Sequence, residues 1–396
     1  MTEDFKKRLE AYERGELSGE ELELFEKELE KLEQFQEILE SDDFDEKTAP
    51  EDRQITNKQL SKNDKKQRKI LRRSKWKARI QTAVYAVALL IALTFVSTIL
   101  TAIYYEWGSN RGETYRDVIK YSMTVTDPYG DLGGTGASIK PYFSMAVEHD
   151  LRKQVGYKTI NYGKMNVNFI LSLMSVPETT YYGKTTTDAP AFFYPQDYDF
   201  EIESDWERLE KLPEGTVASA YFSFTELVDT KTAFDYVEDK DLSLLWLTVN
   251  SGVEVSDDPY DIAIFEPLGL PAYPIWHDDD FILQSREETK GFLGGGTVSE
   301  SYSSPDYDFG DTEVLHEQFF KTLNFLKKYE RKVNKLFFDQ LNLSERIDYL
   351  EENGIEHYGM VITGPTKEIL SLKDESWVNV MQIDEVELWD WHTFVE

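Results

Sequence analysis

Histidines are the side chains of this 396-residue sequence that most readily serve both acid–base and metal chemistry, and they are few and scattered. The five are His149, His277, His316, His357 and His392. No pair has the His-Glu-x-x-His spacing that places two imidazoles on one helix face around zinc. The spacing therefore predicts isolated packing or surface histidines rather than a metal or catalytic centre.

Motifs for nucleophilic attack and for phosphate binding are missing from the sequence. The chain has no cysteine, which excludes thiolate metal sites, disulfides and a cysteine nucleophile. Gly-x-Ser-x-Gly and the P-loop pattern are absent as well. Gly133-Gly-Thr-Gly136 lacks the flanking strand and helix of a nucleotide loop, so it is interpreted as a turn. The prediction is a protein that is not an enzyme and has no cofactor.

Three short stretches remain as candidates for holding a small ligand. Trp276-His-Asp-Asp-Asp280 and Asp127-Pro-Tyr-Gly-Asp131 carry the oxygen ligands that a hard divalent cation prefers, although acidic loops are more often simply solvated. Thr363-Gly-Pro-Thr366 follows an apolar stretch and is either a ligand cradle or a plain strand-to-helix turn. None of the three predicts a specific ligand.

The strongest structural signal is a long apolar run preceded by basic residues. Ile80–Tyr105 contains no charged residue over 26 positions, more than the roughly 20 that a helix needs to cross a bilayer. Lys62–Arg79 has ten Lys and Arg against one Asp, whereas residues 106–120 have three of each sign. This asymmetry predicts a cytoplasmic N-terminus and an extracytoplasmic C-terminal part. Trp76, Tyr104, Tyr105 and Trp107 are interpreted as interfacial aromatics.

A signal peptide, a core helix and a nucleic-acid site are each weaker interpretations of this run. A cleaved signal peptide would lie at the N-terminus, and a buried core helix would not have such lopsided flanking charge. Basic residues can also bind nucleic acid, but membrane topology already accounts for them here, so no direct nucleic-acid contact is predicted. We therefore expect a single-pass protein of the cell membrane, with the lipid bilayer as one of its partners.

The predicted fold class is α+β, and the predicted organisation has four parts. Residues 1–40 form a cytoplasmic α-helical hairpin, and 41–79 form a flexible tether and a basic juxtamembrane segment. Residues 80–105 form a single transmembrane helix, and 106–396 form a large extracytoplasmic α+β domain. The net charge of −32 is concentrated in the first and last parts.

The hairpin is predicted from two helical patterns separated by Gly15 and Ser18. In the first, Phe5, Leu9 and Tyr12 recur at helical spacing. In the second, Ser18 starts a capping box, and Leu22, Phe25, Leu29 and Leu32 trace one apolar stripe towards a helix end near Glu40. Two such short helices bury too little apolar surface to form a stable fold on their own. Their acidic face is either merely solvated or complements a basic partner. The predicted partner-binding residues are Phe5, Leu9, Tyr12, Leu22, Phe25, Leu29 and Leu32.

The stretch Tyr12-Glu-Arg-Gly-Glu-Leu-Ser-Gly-Glu-Glu21 with the apolar helix after it resembles the N-terminal module of anti-sigma factors. In zinc-binding members the next helix carries His-x3-Cys-x2-Cys, and the matching positions here are Glu28, Leu32 and Phe35. The resemblance therefore implies a zinc-free variant held by packing. Such modules cover the polymerase- and promoter-binding surfaces of an extracytoplasmic-function (ECF) sigma factor.

In the C-terminal part, apolar stretches predict strands and helices of an α+β domain. Strands are predicted at 165–173, 217–224, 244–250, 262–265, 357–363 and 377–382, and helices at 205–212, 225–237, 311–341 and 344–352. Gly294–Gly296 is predicted to be a loop. Two stretches, beginning at Ala220 and Gly359, both predict strand, short helix, strand. They are either a duplicated unit or a chance likeness.

Glu356-His-Tyr-Gly-Met-Val-Ile-Thr-Gly-Pro-Thr-Lys-Glu-Ile-Leu, with the closing Val386-Glu-Leu-Trp-Asp-Trp, resembles the C-terminal domain of the sigma factor regulator family of Gram-positive bacteria. The resemblance implies an anti-sigma factor that holds an ECF sigma factor at the membrane in envelope stress. Its outer domain would sense the envelope or bind a second small membrane protein. The alternative is a signal-anchored envelope scaffold or sensor whose cytoplasmic tail binds another protein.

Overall fold

The computed structural model of the protein describes residues 3–41, 62–108, 110–183, 190–196, 202–254, 262–290, 296–337 and 340–389. Contacts divide the chain into two units, Met1–Phe95 and Val96–Glu396. Helices and strands are both abundant, and the second unit is rich in strands. The predicted α+β class is confirmed.

Three helices make up the described part of the N-terminal unit: α1 (Glu3–Arg14), α2 (Glu20–Ser41) and α3 (Lys62–Glu106), the last continuing beyond Phe95. Gly15 has φ +75°, as predicted for the residue after α1, and Gly19 has φ +65°. Because Gly19 is left-handed, α2 begins at Glu20, and the predicted start at Ser18 is wrong. The predicted tether lies outside the described residues except for Ser41.

Helix α3 carries the predicted apolar run. Its portion Arg73–Glu106 is long and apolar enough to cross a membrane, and it is the one such helix in the described parts of the chain. Only 6% of its most apolar stretch is buried within the protein. A core helix would be covered by other elements, so this exposure favours a membrane span over the buried-helix alternative.

The C-terminal unit begins with α4 (Arg111–Thr126), which is followed by an antiparallel sheet. Its strands are β1 (Thr135–Lys140), β2 (Ser144–Val155), β3 (Lys158–Ile170), β4 (Leu173–Met174) and β5 (Glu178–Tyr181). The order is β1-β2-β3-β4, with β5 also paired to β3. In β3 the side chains of Met165, Val167 and Phe169 are buried and alternate with more exposed ones, which confirms the predicted half-buried strand.

The rest of the unit surrounds a central sheet. The elements in chain order are β6 (Phe192–Phe193), α5 (Trp206–Glu210), β7 (Thr216–Asp229), α6 (Thr230–Asp235), β8 (Ser243–Thr248), β9 (Ala263–Ile264), β10 (Gly269–Pro271), β11 (Ile282–Lys290), β12 (Gly296–Ser303), α7 (Thr312–Lys327), α8 (Glu330–Phe337), α9 (Leu343–Asn353), β13 (Glu356–Pro365), α10 (Thr366–Ser371) and β14 (Val378–Leu388). The central sheet has the order β10-β8-β13-β7-β14, and all its pairings are antiparallel.

Both predicted strand–helix–strand units are present, and they interlock. One unit is β7–α6–β8 and the other is β13–α10–β14. The two first strands, β7 and β13, lie side by side in the middle of the sheet, and each is flanked on its outer side by the second strand of the other unit. This is the strand order of a split βαβ arrangement, in which neither unit is complete without the other.

Helix α4 joins the two sheets because it is buried on two faces. Tyr115 and Ile119 pack with the first sheet, in a cluster that includes Val147, Val167 and Phe169. The opposite face, with Val118, Tyr121 and Val125, packs in the larger cluster that covers the central sheet. The two sheets therefore share one helix between them.

Two predicted helices are wrong in extent. The predicted helix at 225–237 is strand as far as Asp229, because β7 keeps its pairing with β13 to the register Asp229↔Glu356, and only Thr230–Asp235 is helical. The predicted helix at 311–341 is split into α7 and α8. Leu323 packs on the central-sheet cluster whereas Leu336 packs with the first sheet, and one straight helix would not serve both.

Strands β11 and β12 form a separate antiparallel pair that the sequence pattern did not predict. Their side chains are largely exposed, so no apolar alternation marks them. The predicted glycine loop falls between them and lies outside the described residues apart from Gly296.

Candidate protein-binding site

An apolar cluster joins α1 and α2. Leu9 and Tyr12 of α1 and Phe25 and Leu29 of α2 are all buried in it. We call these four residues the hairpin cluster. The sequence brings them together because each pair lies one helical turn apart on its own helix, so both helices present one apolar stripe. The left-handed Gly15 and Gly19 turn the chain back between them.

Aromatic and polar contacts fix the two helices against each other. The rings of Tyr12 and Phe25 are 5.5 Å apart, and the Tyr12 hydroxyl lies 3.4 Å from Oε1 of Glu26. Arg8 forms an ion pair with Glu28 at 3.1 Å, and its guanidinium lies 5.1 Å from the centre of the Phe25 ring. The position that matches a zinc ligand in the related modules is thus occupied by a carboxylate paired with arginine.

The basic part of α3 covers the hairpin cluster. Trp76 and Ile80, one turn apart, are partly buried against it. Arg73, one turn earlier, places its guanidinium 4.7 Å from the centre of the Tyr12 ring and lies 3.4 Å from the Tyr12 carbonyl oxygen. The indole N–H of Trp76 is buried without a hydrogen-bond partner among the described residues. A buried donor without an acceptor costs about 1–3 kcal/mol, so this cover is imperfect.

The structure brings four of the seven predicted binding residues into one cluster. Leu22 is partly buried at its edge, whereas Leu32 is 45% exposed. The Phe5 side chain lies outside the described residues. Leu24, which was not predicted, is 59% exposed on α2. The exposed side of the hairpin therefore combines apolar and acidic residues.

Sequence reasoning missed Arg73, Trp76 and Ile80 as neighbours of the hairpin. Trp76 was interpreted only as an interfacial aromatic because the basic run was explained by membrane topology. The available signal was the spacing: Arg73, Trp76 and Ile80 recur at one helical turn, and an amphipathic stripe within a basic run predicts a packed face.

The histidines make internal hydrogen bonds. His149 contacts the Thr135 hydroxyl at 2.7 Å, and burial lowers its pKa to about 4. His277 contacts Thr322, and His316 and His357 share the Thr230 hydroxyl. His392 lies outside the described residues. No group of His, Asp and Glu able to hold a metal occurs in the part of the chain that the structure describes.

Two of the three candidate ligand stretches are engaged within the protein. Asp279 and Asp280 both pair with Lys321, at 2.8 and 2.6 Å. The Thr363 hydroxyl donates to the Ala218 carbonyl, and the Thr366 hydroxyl lies 2.9 Å from that of Thr216. The stretch 363–366 is therefore a strand-to-helix turn tied to β7.

Two family models match the chain. The sigma factor regulator N-terminal model matches residues 68–160, which run from the basic part of α3 into β3. The sigma factor regulator C-terminal model matches residues 209–385, which run from α5 to β14 and include the central sheet. No solved structure matches the chain.

One curated relative is similar over its whole length. It is the probable anti-sigma-M factor YhdL of Bacillus subtilis (strain 168), which is 30% identical over 398 positions that cover 99% of this chain and 100% of the relative. A Bacillus relative agrees with the Gram-positive resemblance of the sequence. The family resemblance is thus confirmed, and this chain, which has a candidate membrane span, belongs to the sigma factor regulator family.

Proposed function

We propose that the protein is an anti-sigma factor that binds an ECF sigma factor through its N-terminal hairpin and holds it at the membrane. The observation that carries the proposal is the hairpin cluster, which beyond the hairpin's own Leu17 and Leu22 is covered, among the described residues, by Trp76 and Ile80 of α3. Leu24 and Leu32 of α2 stay exposed. Family membership supports a sigma factor as the partner.

The chemistry of the α3 cover suggests what the sigma factor presents. Trp76 and Ile80 supply an aromatic and an aliphatic side chain, and Arg73 supplies a cation over the Tyr12 ring. A sigma-factor segment with an apolar face flanked by basic residues would make the same contacts. It would also face the exposed carboxylates of Glu23 and Glu30. We infer that such a segment replaces α3 on the hairpin cluster.

The topology that this function requires follows from the charge asymmetry around α3. The hairpin (1–40) and the tether with its basic segment (41–79) would be cytoplasmic, where sigma factors act. Residues 80–105 would cross the bilayer, and 106–396 would be the extracytoplasmic sensor domain. That domain would respond to the state of the envelope or to a second small membrane protein.

Co-purification of the full chain from a non-ionic detergent tests this function. We expect an ECF sigma factor in stoichiometric amount with the wild type. If the sigma factor no longer co-purifies with the Leu29→Asp variant at an equal protein level, the hairpin cluster is required for the contact. Recovery of a different cytoplasmic protein in place of a sigma factor would instead support the envelope-scaffold alternative.

A further inference from the structure

A cavity of about 450 Å³ lies between the two sheets of the C-terminal unit. One wall comes from β2, β3 and the end of β5, and the other from β7 and β14. Aromatic rings supply much of the lining, among them Tyr129, Tyr162, Tyr181, Phe192 and Tyr221. The size and the apolar character are those of a small-molecule site.

A buried ion pair forms one side of the cavity. Lys153 Nζ lies 2.5 Å from Oδ1 of Asp384, whose side chain is 1% exposed. The Tyr129 hydroxyl donates to the other oxygen of Asp384 at 2.7 Å. The Lys153 ammonium is also 5.8 and 5.3 Å from the ring centres of Tyr129 and Tyr162. Within this wall, the lysine charge is therefore already balanced by the protein.

Two further carboxylates line the cavity beside Lys153 without forming an ion pair with it. Asp127 accepts the backbone N–H of Tyr129 at 2.9 Å, and Glu385 has a contact of 3.4 Å with the backbone N–H of Val386. Neither forms an ion pair with any described residue. Burial raises the pKa of the Asp127 carboxyl to about 6, which reflects the poor solvation of its charge.

The cavity also contains two phenol hydroxyl groups. Tyr162 and Tyr221 both line the cavity, and neither hydroxyl has a hydrogen-bond partner among the described residues. Both side chains are partly buried. Burial raises the pKa of both phenols, and the negative charges of Asp127 and Asp384 raise it further, which places both carboxylates near the two rings.

We propose that this cavity binds an organic cation through an ammonium group. The aromatic faces attract the cation through the ring quadrupole, Asp127 and Glu385 supply the opposite charge, and the two phenols offer hydrogen bonds to the body of the ligand. An anion would face three carboxylates, Asp127, Asp384 and Glu385, and one lysine that is already paired with Asp384. A neutral ligand would remove water from them without supplying a positive charge. This proposal does not depend on the sigma-factor contact.

A purely structural role would account for only part of the site. The Lys153–Asp384 pair ties β2 to β14 and needs no ligand to explain it. It leaves unexplained why Asp127 and Glu385 also line this aromatic cavity, where Lys153, the lysine among the described lining residues, is already paired with Asp384. That arrangement is unfavourable in the free protein and becomes favourable when a cation enters.

The test is ligand-observed NMR and calorimetry on the full chain in a non-ionic detergent without choline head groups. The probes are choline, glucosamine and N-acetylglucosamine. Glucosamine and N-acetylglucosamine share a ring but differ in charge, so they separate recognition of a cation from recognition of a sugar. We expect choline and glucosamine to bind and N-acetylglucosamine not to bind.

Variants connect binding to the two carboxylates. Asp127→Asn keeps an acceptor for the Tyr129 N–H, and combined with Glu385→Gln it should weaken choline and glucosamine by about tenfold or more. Glu387→Gln is the matched control, because Glu387 lies on β14 and pairs with Lys158 away from the cavity. It should bind as the wild type does.

Three outcomes would overturn the proposal. They are equal binding of the neutral and charged sugars, no binding of choline or glucosamine to the wild type, and unchanged binding to the folded double variant. The first two need no variant, so the proposal stays testable if the double variant fails to fold.

Discussion

Arg73 of α3 lies over Tyr12 of α1, with 4.7 Å from the guanidinium carbon to the ring centre and 3.4 Å from its nitrogen to the Tyr12 carbonyl oxygen. The contact joins the basic juxtamembrane helix to the hairpin across 61 residues of sequence. It places cationic and aromatic side chains on the surface that we propose for the sigma factor. In this account, α3 of the free protein covers the binding surface with side chains that are chemically similar to those we propose for the sigma factor.

Trp76→Ala should strengthen sigma-factor binding if α3 and the sigma factor compete for the hairpin cluster. The substitution removes a partly buried ring whose N–H lacks an acceptor, so the cover becomes easier to displace. We expect a Kd several-fold lower, measured by fluorescence titration of the full chain in detergent. Trp107→Ala, at an exposed aromatic outside the cluster, is the control. Weaker binding by Trp76→Ala would mean that α3 forms part of the binding surface.

Orientation can be tested with protease added to wall-free cells. Since the basic residues precede the apolar run, we expect removal of residues 106–396 and protection of the hairpin. Antibodies against tags at each end would report the fragments. Protection of the C-terminal domain with loss of the N-terminal tag would reverse the proposed topology and separate the hairpin from any cytoplasmic partner.

Metal removal should leave sigma-factor binding intact. The chain has no cysteine, and Glu28 pairs with Arg8, so packing and ion pairs hold the hairpin without a thiolate site. The measurement is co-purification after dialysis against a chelator, with a zinc-containing anti-sigma module as the positive control. Loss of binding that added zinc restores would show that the hairpin depends on metal.

His357 should make the stability of the C-terminal domain sensitive to acid. Its ring is fully buried, with Nδ1 2.5 Å from the Thr248 carbonyl oxygen, so Nδ1 donates and Nε2 accepts from the Thr230 hydroxyl. That hydroxyl oxygen then accepts from Nε2 of His316. Burial lowers the pKa of His357 from 6.5 to about 4, with Thr248, His316 and Asp229 contributing smaller effects. The native state therefore resists a proton that the unfolded chain takes up.

The direction of the pH dependence follows from this difference in the pKa of His357 between the folded and unfolded states. Above pH 6.5 the histidine is neutral in both states, and between about pH 6.5 and 4 the unfolded state gains protons, so the stability contribution falls as pH falls, by at most about 1.4 kcal/mol per pH unit. Urea unfolding followed by tryptophan fluorescence should show a shallower pH dependence for His357→Gln than for the wild type. Equal slopes would mean that His357 does not carry this effect.

The parts of the fold with one apolar face could be predicted from sequence. Strand β3 was predicted because Met165, Val167 and Phe169 alternate with polar residues. Helix α4 was not predicted, because it is buried on two faces and its apolar residues do not form a single stripe. The extension of β7 to Asp229 was missed because strand pairing, rather than local propensity, decides it.

The candidate binding site could likewise be predicted only where its contacts are local in the sequence. The spacing of Leu9 with Tyr12 and of Phe25 with Leu29 is local and could be predicted from the sequence. The spacing of Trp76 and Ile80 indicates a packed face on α3, but it does not indicate that this face packs on the hairpin cluster, since that contact joins segments far apart in the chain. In the C-terminal domain, Asp127 was a candidate ligand for a divalent cation, but its place with Glu385 in one cavity was not predicted, because that cavity forms only when two sheets pack together.

The most direct test of the central claim is reporter activity from a sigma-dependent promoter in cells that carry Phe25→Asp or Leu29→Asp. Burying one such side chain at an interface is worth about 1.5–3 kcal/mol, so a carboxylate there should release the sigma factor and switch the promoter on. Glu23→Gln and Glu30→Gln are exposed controls on the same helix and should change mainly the salt dependence and rate of association. Blotting must show equal protein levels. The account predicts high reporter activity for both aspartate variants, and continued repression by both would contradict it.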